Sequence, residues 1–150
     1  MPNKESVLDM MNASDAVYLS TICDGEPRIR AMVNLRRIDL YPGTGEFCRQ
    51  EGFTCYFDTS LSSSKVRSLA SGSLAAAYYC VPSQIHGVEI RGTLEILDDP
   101  ELKRILWQDQ WRIYWPNGPS DPDYVVLRLT AREANGWWGS EPFWLELGSE

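Results

Sequence analysis

The chain reads as a mainly β, α+β protein, an antiparallel barrel of six to seven strands with short helices at its rim. Three observations predict this. Runs rich in β-branched and aromatic residues alternate with turn residues along most of the chain. Most are joined by connections that favour hairpins over crossovers. The helical periodicities are few and short. Alternating βαβ units and a Gly-x-Gly-x-x-Gly turn are both missing, which argues against a doubly wound dinucleotide fold.

A length of 150 residues with 43% hydrophobic and 11% aromatic content fits a single domain, 1–150, with a sizeable core. No run of eighteen apolar residues occurs and the opening MPNKESVLDMMNAS is polar and interrupted, so neither a membrane span nor a signal peptide is expected. A soluble, cytoplasmic protein is the expectation. The net charge of −7 argues against nucleic acid or an anionic membrane as partner. A phosphate ligand must then meet a local basic cluster, and Arg28, Arg30, Arg36, Arg37, Arg49, Lys65 and Arg67 all fall in the first half. Cys23, Cys48, Cys55 and Cys80 form no C-x-x-C pair and the chain has one histidine, so free thiols are expected and no metal site.

Residues 3 to 13 have the spacing of an amphipathic helix, with Asn3 as cap and Val7, Leu8 and Met11 on one face. Residues 16–22 form a strand, Asp24-Gly25-Glu26-Pro27 a turn, and Arg28 to Ile38 a second strand. In that strand Ile29, Ala31, Val33 and Leu35 share one face, while Arg28, Arg30, Met32, Asn34 and Arg36 make the other unusually polar. Asp39 to Gly52, with Pro42-Gly43-Thr44-Gly45, is expected to be a long loop. Residues 53–57 give a third strand, and Ser63 to Ser71 a short helix stopped by Gly72. Strands over 73–81 and 85–97 follow, then a helix start at Asp98-Asp99-Pro100-Glu101 with Leu102, Ile105 and Leu106 as its buried stripe. Trp107, Trp111, Tyr114 and Trp115 suit a core or a subunit interface better than ligand stacking. Residues 124–132 give a sixth strand, extended or followed by another over 133–138.

The stretch Phe57-Asp58-Thr59-Ser60-Leu61-Ser62-Ser63-Ser64-Lys65 leads from a strand through a hydroxyl-rich turn into a helix. Unpaired N–H groups at a helix start, hydroxyls and a lysine together suit a phosphate. On its own such a stretch is most often only an N-cap.

Its neighbours give it a second meaning. Pro27-Arg28-Ile29-Arg30-Ala31-Met32-Val33, then Tyr56-Phe57-Asp58-Thr59-Ser60 with Ser64-Lys65-Val66, then 88–94 leading to Asp99-Pro100, and 125–129 leading to Trp137-Trp138, resemble in order and spacing the FMN-binding split β-barrels. Within the pyridoxamine 5′-phosphate oxidase-like group the chain looks most like the general-stress-protein branch. The resemblance implies a split β-barrel and a homodimer with FMN at the interface. It implies that Arg30, Ala31, Met32 and Val33 line the flavin, that Thr59, Ser60, Ser64 and Lys65 hold its 5′-phosphate with Phe57 and Asp58 beside them in the cofactor site, and that Trp138 comes from the partner chain. The tail over 139–144 carries no basic residue, unlike the motif that holds the vitamin phosphate in the true oxidases, which argues against pyridoxamine 5′-phosphate as substrate.

The function implied is an FMN-dependent oxidoreductase acting on a small molecule, with a non-catalytic flavin-binding sensor or buffer as the alternative. Deazaflavin and haem are further alternatives. No side chain stands out as a necessary acid or base; His86 is the candidate proton donor, and the candidate axial ligand for haem.

Overall fold

A computed structural model describes residues 1–67, 69 and 72–148, and within them every side chain except those of Lys65 and Arg67. The described residues form seven strands: β1 (Ala16–Cys23), β2 (Glu26–Val33), β3 (Cys55–Ser60), β4 (Ser73–Val81), β5 (His86–Leu97), β6 (Tyr124–Trp138) and β7 (Glu141–Glu146). Helices α1 (Lys4–Ala13), α2 (Pro42–Gln50), α3 (Ser64–Arg67) and α4 (Pro100–Leu106) lie between them. Every pairing is antiparallel, in the order β2-β1-β4-β5-β6-β3 with β7 also on β6. The sheet curls into an open split barrel, as the hairpin-linked strand pattern predicts. No helix among the described residues is long and apolar enough to cross a membrane.

Strand alternation divides the sheet into two faces. Along the inner face the register carries Met32, Val17, Tyr79, Val88, Gly136 and Phe143 across successive strands. Most of these belong to the main core, which α1 closes with Val7, Met10 and Met11. The helix starts where the sequence says it should, because Asn3 accepts from the Ser6 N–H and the Ser6 hydroxyl bonds back to the cap in a capping box. A second core lies beyond β3 and β6, where Leu102, Leu106, Trp111 and Trp115 pack on Tyr56, Tyr124 and Val126. Trp111 and Trp115 are therefore core, with Trp107 packed against them, whereas Tyr114 is 69% exposed.

Several expected boundaries are corrected. The second strand ends at Val33 and not at Ile38, because Asn34 is buried and its amide donates to the Met11 and Ser14 carbonyls at 2.8 and 2.9 Å. It serves the end of α1 and can no longer continue a ladder. The stretch expected as a loop over 39–52 contains α2. Its glycines and proline read as loop signals, yet Pro42 occupies the first turn, where its missing N–H costs nothing. Tyr41 and Cys48 are anchored in the second core, and tertiary burial overrides the weak propensity. The third strand likewise runs two residues later than expected at its start, from Cys55, and reaches Ser60. The helix expected to reach Ser71 is observed over Ser64–Arg67, and Ser68, Ala70 and Ser71 lie outside the described residues.

Candidate functional site

The candidate site draws on the two ends of the six-strand path, β2 and β3, which converge on one core. Met32 of β2 packs against the cluster that holds Phe57 of β3 and Val66 of α3. On β2 the inner row carries Arg28, Arg30 and Met32, so the polar face seen in the sequence does turn toward the barrel interior. Arg30 is half-buried and its Nη1 donates to Thr21 Oγ1 at 3.1 Å, which fixes the guanidinium against β1. Ala31 and Val33 face outward and are exposed.

At the other end, alternation along β3 splits the expected phosphate residues between two faces. Phe57 is buried in the main core with Cys55, and Thr59 is buried on the same side. Asp58 and Ser60 turn the opposite way, into the aromatic layer. There Ser60 Oγ accepts from Trp115 Nε1 at 3.1 Å and Asp58 Oδ1 accepts from the Tyr124 hydroxyl at 2.5 Å. The other oxygen of Asp58 is buried without a partner. Burial pushes this carboxyl up to about 8 against the Tyr124 hydrogen bond, which lowers it. Asp58 thus holds a proton at neutral pH.

The hydroxyl turn after β3 is held by a residue the sequence did not single out. Asp123 accepts from the Ser62 N–H at 2.8 Å and the Ser62 hydroxyl at 3.1 Å, and its carbonyl accepts from the Leu61 N–H at 2.7 Å. Ser63 N–H donates to the Ser60 carbonyl at 3.0 Å and the chain enters α3 at Ser64. Asp123 directly precedes β6, so only the β3–β6 register brings it here. The side chain of Lys65 lies outside the described residues, and its backbone is in α3.

Trp138 stands elsewhere. It ends β6 opposite His86, whereas Tyr124, at the other end of that strand, pairs with Ser60. The Trp138 and His86 rings stack with centroids 3.7 Å apart and planes 12° from parallel, and Phe143 meets Trp138 edge-on. One face of the imidazole is thereby covered. One chain does not bring Trp138 to the hydroxyl turn. Its neighbour Trp137 is on the opposite face of the strand and is exposed, beside Tyr78, Cys80 and Ile85. Adjacent tryptophans on a strand must part between faces, which was the signal available for Trp137.

A groove of about 340 Å³ follows the end of β2, lined by Ala31, Met32 and Val33 and, across from them, Arg37, Leu40 and Tyr41. The four cysteines are free, and burial pushes the Cys48 thiol up to about 12, which makes it a packing residue.

A split antiparallel half-barrel with an arginine-bearing edge strand at one end of its strand path and a hydroxyl turn after the strand at the other defines a split-barrel protein. The sequence model of the family described as "Pyridoxamine 5′-phosphate oxidase like" matches residues 42–145, and the chain belongs to that family. No curated protein matches the chain. Among solved structures, a Clostridium acetobutylicum protein related to general stress protein 26 of Bacillus subtilis is 25% identical. It superposes with a TM-score of 0.73 over 97% of both chains. General stress protein 26 of Bacillus anthracis is 19% identical with a TM-score of 0.72, over 96% of this chain and 98% of that one. A general stress FMN/FAD-binding protein of Xanthomonas citri is 20% identical with a TM-score of 0.67, over 98% of this chain and 96% of that one.

Proposed function

We propose that the chain is a soluble, cytoplasmic, homodimeric FMN-binding protein of this family, acting as an oxidoreductase on a small molecule. The observation that carries the reading is that the two edge strands converge on one core through Met32, Phe57 and Val66, one edge bearing a half-buried Arg30 and the other leading into a hydroxyl turn held in shape by Asp123. In a chain of net charge −7 a phosphate dianion needs such a local donor set. Arg30 and Lys65 supply fixed positive charge, and Thr59 and Ser64 supply neutral donors. Phe57, Asp58 and Ser60 shape this end through their packing. Ala31, Met32 and Val33 lie along the ring, and Trp138 of the partner subunit completes the site.

When bound, the isoalloxazine supplies the one- and two-electron chemistry that no side chain here provides. The chain's part is to position it, screen its phosphate and exclude water. The family membership and the FMN/FAD-binding relative from Xanthomonas citri support this choice of cofactor.

A non-catalytic flavin-holding module is the second reading. It is favoured by the packing of the candidate proton donor, His86, under Trp138, and of the buried acid Asp58 against Tyr124.

Purified protein is expected to be yellow, with FMN identified by spectrum and mass, and Arg30→Ala with Lys65→Ala to lose the colour. Protein that stays colourless and takes up no FMN at micromolar concentration sinks the proposal. Turnover with a nicotinamide coenzyme separates the enzyme from the holding module.

A further inference from the structure

The groove beside β2 has an electrostatic character that restricts what it can hold. Its walls are Ala16, Ala31, Met32, Val33, Leu40 and Tyr41, and the cation lining it is Arg37. That guanidinium is already spoken for. Its Nη2 and Nε bond the two Asp39 oxygens at 2.6 and 3.2 Å, and its Nη1 meets Asp15 Oδ1 at 3.4 Å. The hydrogen bond from Arg37 holds the Asp39 carboxyl below its usual range, and the same contact raises Arg37. Two exposed carboxylates face the one guanidinium that lines the groove, and Arg49 acts on Asp39 from farther off, so no cation at the mouth is left without a carboxylate.

The remaining polar groups offer an anion little. Asn34 is committed through its amide to Met11 and Ser14, and through its oxygen to the Arg36 N–H. That leaves the neutral hydroxyl of Tyr41, on a side chain only 9% exposed. A phosphate or carboxylate entering this groove would lose hydration against apolar walls and gain no free cation. A neutral amide or an aromatic cation would lose less, and the cation would gain from the mouth.

Resting on the reading that the flavin ring lies along Arg30–Val33, we propose that this groove receives the small molecule that meets the ring. It selects an uncharged or cationic aromatic molecule and rejects phosphorylated and carboxylated ones. Arg37 acts as a specificity residue through its neutralisation by Asp15 and Asp39.

The test uses three isosteric rings, benzamidine, benzamide and benzoate, titrated into the full chain with and without FMN. Binding is read from the backbone amide shifts of Arg37, Leu40 and Tyr41. Benzamidine and benzamide are expected to bind, with benzoate weaker by at least about tenfold, a difference of about 1.4 kcal/mol. In Asp15→Asn/Asp39→Asn the freed guanidinium should reverse the order, with benzoate gaining and benzamidine losing about tenfold each. Both carboxylates are exposed, so the double variant should keep its fold. Equal binding of benzoate and benzamide, no shift with any ring, or an unchanged order in the double variant overturns the inference. FMN uptake is scored separately by the visible spectrum. Groove selectivity without FMN uptake overturns the flavin reading and leaves the selection of charge standing.

Discussion

Asp58 shows how far a residue's role can depart from its place in a motif. In the sequence it stands among the phosphate-end residues, and in the fold it is an acid sealed into the aromatic layer, one oxygen on the Tyr124 hydroxyl and the other without a partner. Its folded value of about 8 lies above the ordinary 3.8, so the folded state binds a proton that the unfolded state has released between those values. The stability it contributes is complete below about pH 4 and is lost as pH rises through about 8. Each unit of that window is worth about 1.4 kcal/mol. Urea denaturation at pH 5, 7 and 9 should show the wild type losing stability step by step, whereas Asp58→Asn keeps a neutral acceptor for Tyr124 and should flatten this part of the slope. Parallel pH profiles for the two proteins would contradict the assignment.

Helix α2 is where sequence and structure part company, and the reason lies in its glycines. Gly45 is buried, and a Cβ built there would sit 2.9 Å from Ile38 Cγ1 and 3.0 Å from the Ile38 backbone nitrogen. Gly43, two residues earlier, has nothing within 4 Å of the same position. One glycine is demanded by close approach and the other is only a poor helix former. Gly45→Ala should therefore cost about 1–3 kcal/mol as an overpacking change, and Gly43→Ala should be neutral or stabilising by up to about 1 kcal/mol. Thermal melts of the pair check this, and two losses of equal size would refute it. The same contrast explains what was legible in the sequence. Elements that carry their own signals appeared as expected: the Asn3 cap, the Asp99 cap followed by Pro100, and most of the β-rich strands. Elements that exist because of a distant neighbour did not, since α2 depends on the second core and the end of β2 depends on Asn34 reaching α1. The site divides the same way. Arg30 on an inward row followed from alternation along β2, whereas the Asp123 clamp needed the β3–β6 pairing to bring together residues about sixty apart in sequence.

At the scale of the whole molecule, the outward face of the sheet is the feature a lone chain leaves unexplained. One register line runs Ala31, Tyr18, Tyr78, Glu89, Asn135 and Trp144, and the next carries Ile29, Ser20, Ala76 and Arg91. Ile29 is 71% exposed, Leu74 61%, Trp137 54% and Trp144 55%. These large apolar side chains lie exposed on one face of the sheet, the kind of surface that marks an interaction site when it is contiguous. A second copy of the same face would cover them, with the ion pairs of Arg91 to Glu89 and Glu133 among them. Leu74→Lys tests the linkage, since it places a charge in the exposed patch and touches no candidate ligand. The expected result is a halved mass by light scattering, an FMN affinity at least about tenfold weaker, and a circular dichroism spectrum that keeps its strand content. A variant that remains dimeric would remove this face as the interface. A monomer that binds FMN as tightly as the parent would remove the partner subunit from the site, and would leave Arg30 and the hydroxyl turn to hold the cofactor alone.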